Sequence, residues 1–556
     1  MQQFKTNSAL VEVQDLVISV KESGLKLINQ INFNLQSGIV TGLVGESGSG
    51  KSLTALALMQ LLSPALQASG DILFYNENKT LNINSLNPRA LMNFRGNQAG
   101  MIFQDPMSSL NPSLTVGAQV MEAYLLHNKT TSKAAKNHVL EMFQRVLIPA
   151  PRRIFYSYPF QLSGGQRQRV MIAMALINNP SLLIADEATT ALDVTVQHEI
   201  ITLIKNLQRD LNLTVLFITH DLGLLNNFAD HVMVMQNGNI VEQGSYHNVM
   251  ELPVHPYTKG LIACRPNPAQ RAYQLPVIED FEVGKSKEMK KRVWPTVTDE
   301  SLIDARDIDV DYAYRGKENV RALKQVSFNL YQGETLGLVG ESGCGKTSLS
   351  KAILKLVPYK GQIYYNGKPL TWRTRKNELR FRQSVQFVFQ DPYASLNPVM
   401  KIGDSIREIL KVHGKGKNRK SRNEQVDELL QQVDLTDSFA QRYPHELSGG
   451  QRQRVAIAKA LAPGPEILIL DEAVAALDVS VQAKILNLLN NLKLQHGLTY
   501  IFISHDLEVV HYMANRIIVM KDGVIEESGD AVQLFNHARS EYTRKLLNSI
   551  PGLQLR

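Results

Sequence analysis

The chain has 556 residues, 44% of them apolar and 20% charged, which is too long for one hydrophobic core and too apolar for global disorder; the length suggests roughly three to four compact units. Two cysteines, Cys264 and Cys344, exclude a disulfide framework or a four-cysteine metal centre, and no run of about 18 apolar residues is present to cross a bilayer. The formal net charge of +8 would suit nucleic acid if it were spread along one face, but half of it lies in KSKEMKKR at 285–292, which reads as a solvated linker.

In chain order, the opening MQQFKTNSALVEVQ lacks the basic-then-apolar pattern of a secretory signal, so a cytosolic protein is expected. GIVTGLVG, at 38–45, is a short apolar run expected as a buried parallel strand. It leads into GESGSGKS, a match to G-x-x-x-x-G-K-[ST], followed by the helical pattern of SLTALALMQLL. Gly45, Glu46, Ser47, Gly48, Ser49 and Gly50 are read as a loop whose N–H groups wrap a phosphate chain, with the helix N-terminus adding partial positive charge. Lys51 is expected to reach the β- and γ-phosphates of ATP, and the Ser52 hydroxyl to ligate Mg2+.

Residues 105–160 read mostly as helix, a lobe inserted into the strand series. SLLIADE (181–187) and TVLFITHD (214–221) are two more apolar strands. Asp186 closes the first of them and would face the metal; its neighbour Glu187 would polarise an attacking water. His220 ends the next strand and would hydrogen-bond the γ-phosphate. HVMVMQNGNIVEQG (231–244) is a β-hairpin turning at Asn237-Gly238.

The whole series then returns. Asp186 and Asp471, His220 and His505, and the tyrosines of HPYTKGL and SEYTRKL (Tyr257 and Tyr542) are each 285 residues apart, whereas Lys51 and Lys346 are 295 apart. The first half therefore holds about ten extra residues near 65–95, expected in surface loops. In the second copy, Gly340, Glu341, Ser342, Gly343, Cys344 and Gly345 form the phosphate loop, with Lys346 for phosphate, Thr347 and Asp471 for the metal, Glu472 for water and His505 for the γ-phosphate. A second helical stretch covers 391–445, and Asp522-Gly523 turns a second hairpin. Residues 266–300 match nothing in the other half, so the expected organisation is two α/β domains, 1–265 and 301–556, joined by a linker.

YPFQLSGGQRQRV (158–170) and YPHELSGGQRQRV (443–455) complete the pattern. Phosphate loop, FQD, LSGGQ, DEA, ALD and a strand-end histidine, in that order in both halves, resemble the ATP-binding subunits of ABC transporters over nearly everything outside the linker. The resemblance implies two tandem ABC-type P-loop NTPase domains, each a RecA-like core with an antiparallel β subdomain and an inserted α-helical lobe. It also implies head-to-tail packing with two ATP molecules between the halves. One site would join Lys51, Ser52, Gln104, Asp186, Glu187 and His220 to Ser448, Gly449, Gly450 and Gln451. The other would join Lys346, Thr347, Gln390, Asp471, Glu472 and His505 to Ser163, Gly164, Gly165 and Gln166. Gln104 and Gln390 would contact both Mg2+ and the water, and Asp193 and Asp478 would stand at the domain interface. The small signature residues suit close approach, and a serine hydroxyl with N–H groups at a helix start suits phosphate oxygens. Tyr312, with Tyr314 as the alternative, would stack on adenine, whereas the matching position in the first half is Val20, expected to hold adenine less well.

The chain departs from the family pattern in three places. Ala188 and Ala473 stand where the family has proline, VAALD in the second half answers TTALD in the first, and Cys344 replaces a serine whose backbone does the work. FQDPMSSLNP, FQDPYASLNP and HPYTKGL resemble the oligopeptide/dipeptide importer ATPases, and the fused arrangement resembles members that import peptides and microcin C. That likeness implies ATP hydrolysis driving peptide uptake through two separate transmembrane permease subunits docked near the FQDP segments. A periplasmic peptide-binding protein would deliver the cargo, and the chain would sit peripherally on the cytoplasmic face of the inner membrane. No nucleic acid and no transmembrane segment of its own are expected. The rival expectation is a soluble tandem ABC ATPase acting on ribosomes or nucleic acid; the zinc cysteines of DNA-repair members and the long charged helical linker of translation-factor members are both missing.

Overall fold

The apolar runs become the centre of two similar units in the computed structural model. It describes every residue except 1–8, 77–78, 106–108, 190–191, 268–270, 284–296, 313–319, 372–373, 394, 476 and 551–556. The charge run at 285–292, Tyr314, and parts of the TTALD and VAALD segments lie outside the described residues. Contacts divide the chain into one unit of 1–262 with 281–284 and another of 263–280 with 285–556.

In the first unit the strands are β1 (Ala9–Val20), β2 (Lys26–Gln36), β3 (Val40–Val44), β4 (Leu66–Asn76) and β5 (Lys79–Asn82), then β6 (Ala99–Ile102), β7 (Leu182–Asp186), β8 (Thr214–Thr219), β9 (His231–Gln236) and β10 (Asn239–Ser245). They form two sheets. The larger runs β10-β9-β3-β8-β7-β6, parallel from β6 to β9 with β10 antiparallel at its edge, and the smaller is the antiparallel β2-β1-β4-β5. The strands β3, β7 and β8 are buried along their whole length, which is why they read as unbroken apolar runs instead of alternating ones. One core joins the two sheets, drawing Leu16 and Ile18 from β1, Leu43 from β3, Ile184 and Ile218 from the parallel strands, and Ala55 and Leu58 from the helix Lys51–Leu58. The helices Val116–Leu125, Ser132–Arg145 and Pro151–Phe155 form the inserted lobe, with Gly164–Leu176 packed against them.

The second unit repeats this plan with β11 (Ser301–Tyr312), β12 (Val320–Tyr331), β13 (Thr335–Val339), β14 (Lys360–Tyr365), β15 (Lys368–Pro369), β16 (Val385–Val388), β17 (Ile467–Asp471), β18 (Thr499–Ile503), β19 (Arg516–Lys521) and β20 (Val524–Asp530). Its sheets run β16-β17-β18-β13-β19-β20 and β12-β11-β14-β15. The fold expectation is therefore met in both halves: an α/β core, an antiparallel subdomain and a helical lobe. Both hairpins are also present, with left-handed backbone at Asn237-Gly238 and Asp522-Gly523.

Among the described residues, part of the first half's extra length is secondary structure and not surface loop. It lengthens the hairpin of β4 and β5 relative to β14 and β15 and adds the 3-10 turn Ile83–Ser85. Alternation along LFYN faces Phe74 inward, where it meets Phe94 edge-on at 5.2 Å, as Tyr365 meets Phe381 at 5.3 Å in the second unit. Truncating that contact with Phe94→Ala is expected to destabilise the first unit by about 3–5 kcal/mol, measured as an earlier urea transition.

Candidate functional site

The phosphate loop leaves the C-terminal end of β3, the central position from which parallel sheets present ligands. Gly45 has φ of 152°, and a side chain there would run into the Met235 carbonyl; Gly48, at φ of 80°, faces open space, so it is the backbone conformation alone that asks for glycine. The helix that follows starts at Lys51 with no side-chain cap. Lys51 is buried, and its Nζ donates to the carbonyls of Gly45 and Glu46 at 2.8 and 2.9 Å. Lys346 does the same with Gly340 and Glu341, at 2.7 and 2.9 Å. An uncapped helix start, left-handed glycines and a buried ammonium together fit a polyphosphate.

The hydroxyl of Ser52 donates to Asp186 at 3.1 Å, and that of Thr347 to Asp471 at 3.1 Å. Both aspartates are buried. Burial pushes their carboxyls above the usual range, against the lowering effect of the hydroxyl and the nearby lysine. A hydroxyl and a carboxylate side by side form the all-oxygen donor set that suits Mg2+.

Glu187 and Glu472 both sit in the left-handed region, at φ of 47° and 48°, uncommon for a residue with a side chain. Their N–H groups are fixed to the carbonyls of Ile218 and Ile503, at 3.0 and 2.9 Å. Each carboxylate is held between two partners. Gln104 donates to Glu187 at 2.8 Å and His220 Nδ1 stands 3.3 Å from its other oxygen; Gln390 and His505 repeat this on Glu472 at 2.6 and 3.4 Å. Burial works against charge on both Glu472 and His505, yet their mutual contact prevails, so the Glu472 carboxyl lies below its ordinary value and the His505 ring above its own.

The signature residues start a helix in each unit. Ser163 accepts from the Gln166 N–H at 3.3 Å while Gln166 Oε1 accepts from the Ser163 N–H at 3.1 Å; Ser448 and Gln451 form the same box at 3.3 and 3.0 Å. Gly165 and Gly450 let Val196 and Val481 press against the helix backbone. Asp193 caps its own helix by accepting from Val196 N–H at 2.9 Å, and Asp478 stands at the matching position. Tyr312 ends β11 with its hydroxyl 3.3 Å from Ser348 on the phosphate-loop helix, whereas β1 ends in Val20. Within each unit the loop, aspartate, glutamate, glutamine and histidine are thus brought together, and the signature serine is engaged with its own helix.

Two residues escaped the sequence reading. Tyr257 is fully buried and its hydroxyl accepts from the Glu46 N–H at 3.1 Å; Tyr542 does this for Glu341 at 3.2 Å. Each tyrosine braces the first peptide of a phosphate loop from more than 200 residues away. The segment carrying it is clamped in turn, because Glu242 accepts from Val254 and His255 N–H, and Glu527 from Arg539 and Ser540 N–H. The usable signal was the return of the tyrosine at 285 residues inside HPYTKGL and SEYTRKL, together with the threonine after it and the closing leucine.

The family described as ABC transporter matches residues 28–190 and 323–475. The family described as oligopeptide/dipeptide transporter, C-terminal region, matches 241–288 and 526–555, the segments that carry the two bracing tyrosines. The glutathione import ATP-binding protein GsiA of Escherichia coli (strain K12) is 42% identical over 98% of this chain and 90% of its own length. Its counterpart in Pectobacterium atrosepticum is 42% identical over 98% and 89%. Among solved structures, the dimeric bacterial ABC transporter cassette MJ0796 aligns with 41% of this chain and 99% of its own at 30% identity, with a TM-score of 0.38. The chain belongs to the ABC transporter ATP-binding proteins, in their oligopeptide/dipeptide branch, and is an ATPase with two tandem ATP-binding units.

Proposed function

We propose that this ATPase drives import of peptides or peptide-like solutes, of the size and chemistry of glutathione or a microcin C-like compound, through a separate pair of transmembrane permease subunits. The observation that carries the catalytic half of this reading is the Gln–Glu–His group beside the phosphate loop, built the same way twice. The cargo half rests on the oligopeptide/dipeptide C-terminal region and on relatives described as glutathione importers, which favour import over action on ribosomes or nucleic acid. In this reading the protein is peripheral at the cytoplasmic face of the inner membrane, and a periplasmic peptide-binding protein supplies the cargo. No helix among the described residues is long and apolar enough to cross a membrane.

ATP is held by the N–H groups of Gly45 to Gly50 and the Lys51 ammonium in one unit, and by Gly340 to Gly345 and Lys346 in the other. Ser52, Asp186 and Gln104, or Thr347, Asp471 and Gln390, would hold Mg2+, which would supply charge neutralisation on the phosphate oxygens. Glu187 and Glu472 accept the hydrogen bond of the attacking water and align it; Gln104 and Gln390 hold that carboxylate from one side, and His220 and His505 from the other. The histidines offer their remaining ring nitrogen towards the γ-phosphate. Each site is completed by the signature serine and glycines of the opposite half, Ser448 to Gln451 for the first and Ser163 to Gln166 for the second. Adenine stacks on Tyr312 in the second site. Val20 leaves the first without that platform.

With a permease pair in vesicles, the double variant Glu187→Gln, Glu472→Gln is expected to keep ATP binding, lose ATP-driven peptide uptake and turn over at least tenfold more slowly, about 1.4 kcal/mol of barrier. Near-wild-type turnover defeats the glutamate assignment, and co-purification with ribosomes in place of a permease pair defeats import. Tyr257→Phe and Tyr542→Phe are expected to raise KM for ATP about threefold to tenfold, with kcat changed less, because the bracing bond contributes about 1 kcal/mol.

The Glu472–His505 pair also makes stability depend on pH in a defined window. The histidine's share is complete below its ordinary value of 6.5 and is lost as pH rises through the raised folded value. The glutamate's share is present above 4.5 and is lost as pH falls through the lowered folded value. His505→Gln should therefore cost the second unit more stability near pH 6 than near pH 9.5, read from urea unfolding at the two values.

A further inference from the structure

The chain segment 263–280, which follows the bracing helix of the first half, packs as part of the second unit. The Arg265 guanidinium meets Glu508 at 2.7 Å, and that of Arg271 caps the Ala514 carbonyl. The side-chain amide of Asn487 bonds both backbone groups of Leu275, accepting its N–H and donating to its carbonyl at 2.8 Å each, as a neighbouring strand would. The hydroxyl of Tyr512 donates to the Tyr273 carbonyl at 3.3 Å. Leu275 and Ile278 of this segment are themselves buried.

The receiving surface is peculiar to the second half. At the positions 285 residues earlier, Asn487, Glu508 and Tyr512 are answered by Thr202, Gly223 and Asn227, which lack the same amide, carboxylate and phenol. Asn490, which donates to the Tyr512 hydroxyl at 3.1 Å, is answered by Lys205, which turns instead to the Phe228 carbonyl and Asp230. A duplicated helix has thus acquired the strap's partners in one copy only.

What those partners stand on is the segment directly after His505. Asp506 caps the helix Leu507–Met513 by accepting from the N–H groups of Glu508 and Val509, and Arg265 fastens the first turn of that helix from outside. In the first unit the corresponding residues form only the 3-10 turn Leu222–Leu225. We propose that residues 263–267 and 271–280 act as an intramolecular strap, with Arg265 a positioning residue that holds the His505 segment so that the ring stays on Glu472, a fastening with no counterpart among the described residues of the first unit. This rests on the proposed role of His505 in hydrolysis.

The full-length protein tests it at 20 °C, with folding checked by the thermal midpoint. Arg265→Glu is expected to lower kcat about fivefold with KM for ATP within twofold, and adding Glu508→Arg is expected to bring kcat back to within about twofold of wild type. Asn487→Thr, which installs the first half's residue, should lower kcat in the same way and expose 263–280 to limited proteolysis. If Arg265→Glu and Asn487→Thr leave kcat unchanged while His505→Gln lowers it tenfold, the strap is overturned and the ATPase reading stands. If His505→Gln also leaves kcat unchanged, the role of His505 falls and the strap falls with it. Loss of kcat that the reciprocal charge swap fails to restore overturns the positioning role.

Discussion

Each candidate ATP site depends on the peptide that joins two acidic residues at the end of a parallel strand. Asp186 and Glu187 are adjacent, as are Asp471 and Glu472, and in extended backbone they would point to opposite faces of the sheet. The left-handed turn at the glutamate, pinned by its N–H to the next strand, sends the aspartate to the phosphate-loop hydroxyl and the glutamate to glutamine and histidine. Two acidic side chains are thereby given separate partners a few ångströms apart. The neighbouring glutamate also raises the aspartate, behind the larger effect of burial.

Much of this was legible beforehand, and the reasons are physical. A phosphate loop is a local object, since its glycines, lysine and hydroxyl lie within eight positions, and the buried parallel strands announce themselves as unbroken apolar runs. The repeat added a second reading of every motif. Features assembled over long chain distances were legible only through the family resemblance, or not at all. Gln104 meets Glu187 across 83 positions, and no local pattern marks a glutamine for that contact. Tyr257 had a recurring partner in Tyr542, but recurrence alone does not say that a hydroxyl reaches a loop peptide. The ten extra residues were assigned to loops because insertions usually go there; among the described residues β4 and β5 are instead longer than their counterparts β14 and β15.

The two units keep the same site geometry and vary around it. Ser49 leaves its hydroxyl buried with no hydrogen-bond partner among the described residues, and Cys344 fills the matching position with a sulfur 3.7 Å from the Lys346 ammonium. Burial keeps that thiol protonated, so the change removes an unsatisfied oxygen without bringing in a charge. Tyr312 against Val20, and a full helix against a 3-10 turn after the histidine, are larger differences. All of them surround the Gln–Glu–His group and the phosphate-loop lysine, and none replaces one of these.

The capping box at the start of each signature helix has a consequence for what can dock there. Ser163 and Ser448 already receive an N–H from the glutamine three residues on, which engages a lone pair of the hydroxyl and leaves its proton to give. The glutamine carbonyl is occupied by the serine's own N–H in the same exchange. Each signature therefore faces outward as a set of donors, polarised in one sense before any ligand arrives. A visitor rich in acceptor oxygens is welcomed, and one that must itself donate finds little to receive it.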